Sequence, residues 1–151
     1  MRNHAKPVLV RWAIAAAFVA GAAFVMGGAA LAQGDADAVD AQVVTAIQHA
    51  GFAADEAEHA GAVRHLGHVL NCLAGPDGEG FDGSWGHPCG SQGSGILVDL
   101  AAHAAADDLL VLARGAHALA LAGIAEPGLG AVSVAAQGVR ALLSMLLELL
   151  G

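Results

Sequence analysis

The stretch Val63-Arg64-His65-Leu66-Gly67-His68-Val69-Leu70-Asn71-Cys72-Leu73-Ala74-Gly75-Pro76 decides the fold. Val63, Leu66, Leu70 and Leu73 recur every three or four residues, the period of one helix face. His59, one turn earlier, lies in the same stripe. His65, His68 and Cys72 fall on the neighbouring face, with Glu58 two turns before His65. Gly75-Pro76 stops the helix. Asp55, with Glu58 three residues later, resembles a capping box at its start. The expected helix runs from about Glu56 to Leu73.

The same period continues outward on both sides. Residues 38–50 place Val39, Val43, Ile47 and Ala50 on one stripe, with Val44 beside it and Gly51 as a stop. His49 flanks that stripe and is expected to face solvent. A third helix is expected from Ile96 to about Ala122. The fourth follows Pro127, a residue tolerated in a first helical turn, and runs to Leu150. Ser133, Gln137, Arg140, Ser144 and Glu148 mark one wet stripe along it. No stretch after residue 34 alternates like a strand with β-branched enrichment. The fold class is therefore all-α: a four-helix bundle whose helices two and three are joined by a Gly-rich loop over roughly 75–95.

That loop carries a constraint of its own. Its many glycines resist ordering, and Cys72 and Cys89 are the only cysteines in the chain. A Cys72–Cys89 disulfide would close the loop; a pair of thiolate metal ligands is the alternative. There is no C-x-x-C redox motif and no C-x-x-C-H haem attachment. Asp77, Glu79 and Asp82 could suggest calcium, but Phe81 and Pro88 stand where an EF-hand needs its fifth and twelfth ligands. Gly turns, with Phe81 and Trp85 packed on the end of the bundle, are the expected arrangement.

The first 32 residues read as an address. Arg2, Lys6 and Arg11 form a basic start, Trp12 to Met26 is uncharged and apolar, and Ala30-Leu31-Ala32 ends in a small-x-small pattern. The expectation is a secretory signal peptide over 1–32, with an uncleaved anchor as the alternative, and one helical domain over 33–151. The exported chain would be periplasmic or secreted, where a disulfide persists. It would hold three arginines, Arg64, Arg114 and Arg140, against all 14 acidic residues of the sequence. That charge balance argues against a nucleic-acid partner. It would have no membrane span after cleavage, because Asp99, Asp107, Asp108 and Arg114 interrupt helix three, and Gln137, Arg140 and Glu148 interrupt helix four. The apolar end Leu142–Leu150 is the expected surface of a homodimer.

Histidine carries the chemical signal. Seven of the eight histidines lie beyond residue 32. His65 and His68 are three apart, so both imidazoles can reach one ion. His103 and His117 lie on one side of the expected third helix, with Asp107 four residues after His103 and Arg114 two turns on. The expected ligands of a transition metal are His65 and His68 from helix two with His103 and His117 from helix three. His59 is held in reserve, and Glu58 and Asp107 would orient the rings from behind. Imidazoles suit zinc or copper(II). Haem held without a covalent bond is the alternative cofactor. A structural bundle with packing histidines is the rival function. His87 is expected to sit in the loop beside the disulfide. Catalysis has no support: there is no G-x-S-x-G, no H-E-x-x-H and no P-loop lysine, so an enzyme is not expected.

The segment from His65 to Pro76, with Gly80-Phe81-Asp82 and Pro88-Cys89 after it, resembles a family of short exported bacterial proteins. These carry an H-L-x-H-V-x-N-C-L-x-G-P segment. The resemblance implies that the paired histidines, Cys72 and Cys89 act as one unit, and it implies no activity. In architecture alone the chain is also similar to exported four-helix cytochromes. It lacks their attachment motif, and its one methionine beyond residue 32, Met145, does not stand where an N-terminal haem ligand would.

Overall fold

The structure is a computed structural model. It describes the backbone of residues 26–102 and 106–151, and the side chains of residues 37–102 and 106–151. Residues 1–25, with most of the expected signal peptide, and His103 lie outside the described residues. Among the described residues five α-helices follow one another: α1 Met26–Asp55, α2 His59–Ala74, α3 Ile96–Ala101, α4 Asp107–Ile124 and α5 Leu129–Leu150. A 3-10 turn, Gly83–Trp85, interrupts the loop between α2 and α3. The four long helices form a bundle in which α1 packs on α2 and α5, and α4 packs on α2 and α5.

Alanine sets the spacing of this bundle. From α1, Val39, Val43, Ala46, Ala50 and Ala53 are buried; from α4, Leu110, Ala113, Ala116 and Ala120. The larger filling comes from α2 (Leu66, Val69, Leu70, Leu73) and α5 (Val132, Val139, Leu143, Leu146). By length and composition alone α5 could cross a membrane; in the bundle it is a core helix with one buried face. Met145 and Leu149 on its other side are 52% and 61% exposed.

Several boundaries differ from the sequence reading. The backbone of α1 runs through Ala30–Ala32, where cleavage is expected, and continues past Gly51 to Asp55. Gly51 faces only the tip of Arg140, and burial of Ala53 repays one more helical turn. Its core stripe turns toward Ala46 and leaves Val44 54% exposed. The start of α2 is no capping box: Glu58 is itself the N-cap, in extended conformation, and its side chain makes no capping bond. Pro127 stays in the turn, and α5 begins two residues beyond it.

The expected third helix is two helices. α3 ends at Ala101, closed by a bond from Ala102 N to Asp99 O. Asp99 is fixed from outside, because its carboxylate accepts from Gln42 Nε2 at 2.7 Å and from Ser94 N at 2.9 Å. α4 restarts with Asp107 and Asp108 in its first turn, where acidic side chains suit the helix dipole. Asp107 opens α4, and its expected partner His103 lies outside the described residues. Asp107 and Arg114 are exposed, and the buried face of α4 is its alanine face instead.

The loop 75–95 is pinned at several places. Cys72 and Cys89 form a disulfide, with both residues fully buried. Asn71, buried in α2, donates to Asp82 O (2.8 Å) and Gly86 O (2.6 Å) and accepts from Asp82 N (2.9 Å). Gln42, buried in α1, accepts from Gly95 N at 3.1 Å. At the base the two ends of the loop cross at Gly75 (φ 69°) and Gly95 (φ 120°), where a side chain would strike the other strand. Trp85 lies directly on Gly67, and a Cβ there would run into the indole.

Removing the Asn71 amide should unpair three backbone groups of the exposed residues Asp82 and Gly86 at once. These groups keep access to water, so each lost bond costs about 0.5–1.5 kcal/mol, and Asn71→Ala should destabilise the protein by roughly 1–3 kcal/mol in urea unfolding. Trp85 is the single tryptophan beyond residue 32, and its fluorescence should shift to the red. A loss under about 0.5 kcal/mol with unchanged emission would mean that the loop does not depend on this bracket.

Candidate metal centre

Three imidazoles meet at the junction of α1, α2 and the loop. His65 and His68 come from α2, three residues apart, and His49 comes from α1. His49 Nδ1 is 3.3 Å from His65 Nδ1 and 3.2 Å from His68 Nδ1. One ligand atom from each ring fits within 4.8 Å of the others. All three residues are half-buried. Phe52, one turn after His49, stands edge-on to it at 5.6 Å between ring centres and 5.4 Å from His65, so an apolar ring flanks the group.

The proton positions follow from the partners. His68 Nε2 meets the carbonyl oxygen of Trp85. That oxygen can only accept, so Nε2 carries the proton and a neutral His68 presents a bare Nδ1 to the cluster. His49 Nδ1 faces that bare nitrogen and His65 Nδ1 together. One proton at the centre, or one cation, serves all three nitrogens. The spacing accommodates the cation. A tetrahedral ion with metal–nitrogen bonds of about 2.0–2.1 Å holds its ligand atoms about 3.3–3.4 Å apart, while 3.2–3.3 Å is the long end of hydrogen bonding.

Electrostatics disfavours a charge on His49 and His65. Burial, and then the neighbouring charges of His68 and His65, push His49 down to about 4. Burial first, then His68 and Arg64, lower His65, with Glu56 acting in the opposite direction. Neutral imidazoles are the form that binds metal. The group is thus able to chelate a transition metal ion, and it consists of nitrogen donors alone.

Of the other expected ligands, His117 and His59 stand elsewhere, and His103 lies outside the described residues. His117 Nε2 donates to Glu79 O at 2.8 Å, tying α4 to the loop. His59 Nε2 donates to Glu126 O at 2.8 Å, tying the start of α2 to the α4–α5 turn. Glu58 and Asp107 are exposed at helix starts. His87 sits in the loop edge-on to Phe81 at 5.3 Å, and burial lowers its pKa. Asp82 caps the 3-10 turn through Ser84 N at 2.8 Å. The third member of the cluster is His49, which the sequence pattern alone puts at the solvent and the structure turns inward. A signal for it exists: Gln42, Thr45 and His49 recur at three and four residues beside the apolar stripe. Gln42 bonds Gly95, Thr45 accepts from Gln92 Nε2 at 3.0 Å, and His49 meets the α2 pair, so this polar seam runs along the junction.

Compared with protein-family models, curated proteins and solved structures, the chain matches none. The chemistry of the site therefore rests on its own geometry.

The depressed His49 has a consequence for stability. Below about 6.5 the unfolded chain binds a proton that the folded chain refuses until about 4. The unfolded state holds more protons in that window, so the contribution of His49 is complete above 6.5 and is lost as the pH falls toward 4. Without metal, wild-type stability should decline over this range, and His49→Gln should decline less steeply. Urea midpoints at pH 7.5, 5.5 and 4.5 check this. Parallel slopes for the two proteins would contradict the burial of a neutral His49.

Proposed function

We propose that the chain is an exported protein that binds one transition metal ion, zinc or copper(II), through His49, His65 and His68. The observation that carries the reading is the convergence of three Nδ1 atoms, two pairs of them at the spacing a bound ion imposes. An all-imidazole donor set suits zinc, copper(II) and nickel(II), and does not suit calcium or magnesium. The basic and apolar leader with its Ala30-Leu31-Ala32 site supports export, and the disulfide fits the oxidising compartment that export would reach. The resemblance to short exported bacterial proteins supports the same grouping of His65, His68 and both cysteines. Three protein ligands leave a coordination position for water or a further group. The reading is one of binding and not of turnover. The exposed strip of Met145 and Leu149 on α5 supports a second copy docking there, which sedimentation at increasing concentration would reveal.

Ion binding to the folded state alone adds about 2.7 kcal/mol at one hundred times Kd. Zinc or copper(II) should therefore raise the Tm by several degrees at pH 7.5, and the rise should fade only as the pH falls toward about 4, where His49 takes up its proton in competition. His49→Ala and His68→Ala should each abolish it. His117→Ala and His87→Ala should retain it. Equal Tm with and without zinc, copper(II) and nickel(II) at pH 7.5 would end the proposal.

A further inference from the structure

The metal reading above leaves open what holds the His68 ring, and the structure points to an unexpected answer. The partner of Nε2 is a backbone carbonyl in the loop, that of Trp85. Metal-bound histidines depend on such a partner, because it fixes both the tautomer and the direction of the ring. Here the partner is not part of a helix. It sits at the end of a three-residue 3-10 turn, in a segment with glycines at 75, 78, 80, 83 and 86. Left to itself such a segment would not hold one carbonyl in place.

Three features hold it. The Asn71 amide clamps Asp82 and Gly86, one on each side of the turn. The Trp85 indole rests on Gly67, the residue next to His68. The Cys72–Cys89 bridge closes the loop three residues beyond Gly86, and Cys72 lies one helical turn after His68 on the same helix. The bridge and the ligand are thus two ends of one short covalent circuit: α2 from His68 to Cys72, across the sulfurs to Cys89, and back along the loop to the Trp85 carbonyl.

We propose that the Cys72–Cys89 disulfide gates the histidine site, which takes its metal-binding form only in the oxidised chain, because the loop closed by the bridge supplies the carbonyl that orients His68. This rests on the metal reading and adds an order of events. The two thiols first lose two protons and two electrons to a disulfide-bearing oxidant, which leaves as two thiols while the Cys72–Cys89 bond forms. The loop then sets on α2, His68 settles with its proton on Nε2, and the site becomes competent. A chain that met metal while still reduced would bind it weakly at this site.

The test measures zinc affinity by competition with a chromophoric chelator at pH 7.5, in the oxidised wild type and in the Cys72→Ala, Cys89→Ala double variant. The double variant is preferred to the reduced protein because free thiolates would themselves take zinc. Removing an outer partner of a ligand typically weakens metal binding 10- to 100-fold, and that is the expected loss. A second variant, Gly67→Ala, keeps both the bridge and a good helix former, yet displaces Trp85; it should lose at least tenfold as well. Long-range proton–nitrogen correlation spectra of the metal-free proteins supply an independent readout. His68 should be the Nε2–H tautomer in the wild type and a mixture in both variants. Zinc affinity within twofold of wild type in variants of unchanged helical circular dichroism would overturn the gate and leave the metal reading standing. A double variant that does not fold would itself make the site dependent on the bridge, and Gly67→Ala then decides whether the dependence passes through the carbonyl. No zinc binding by the oxidised wild type would instead remove the metal reading.

Discussion

Everything at the functional end of this molecule depends on ordering a loop that has little reason to be ordered. The segment between Gly75 and Gly95 has scarcely any apolar residues to bury, and each of its glycines loses more freedom on folding than other residues do. A disulfide spanning 17 positions removes on the order of 3 kcal/mol of that freedom from the unfolded chain. The rest comes from two buried amides, Asn71 and Gln42, which take backbone groups that a loop cannot pair with itself. These side chains stand on different helices. The loop is therefore a strap across α1 and α2, and whatever lies beneath it is fixed with respect to both.

The alanines do complementary work. Helices normally pack 8–10 Å apart, according to the side chains between them. Ala46, Ala50 and Ala53 of α1 and Ala62 of α2 are buried without bulk, which permits approach at the short end of that range. Large residues there would add dispersion contacts and a thicker core. A core this thin gives up part of that stability, and the strap restores some of it on α1 and α2.

How far the sequence displays this arrangement differs from element to element. The helical class, the loop and the disulfide are legible, because a 3.6-residue period, a glycine run and a lone cysteine pair are local or nearly local facts. The i, i+3 pair His65 and His68 is legible for the same reason. The break between α3 and α4 is not written in the alanine run Ala101–Ala106, which favours helix throughout. Asp107-Asp108, two acidic residues in a first helical turn, is the one local mark of the new start. His49 escaped because a helical wheel tells which side of a helix a residue is on and not what stands opposite. Only the seam of Gln42, Thr45 and His49 hints that something polar is.

The same residue type performs two tasks here, and the number of histidines does not separate them. His59 and His117 each give a ring proton to a backbone carbonyl across a turn or loop, and so act as braces. His68 does this too, at Trp85, but its second nitrogen faces another imidazole. A histidine with a carbonyl at one nitrogen is tautomerically fixed; one with an imidazole at the other has, in addition, a bare lone pair aimed at a second donor. With the rings neutral, one proton held by His49 Nδ1 between its two neighbours satisfies the group. A divalent cation takes the place of that proton and draws on all three lone pairs, with no charge on any ring. The argument for a metal centre therefore lies in the convergence of these three nitrogens, a property that belongs to the junction of α1, α2 and the strap and to none of the histidines alone.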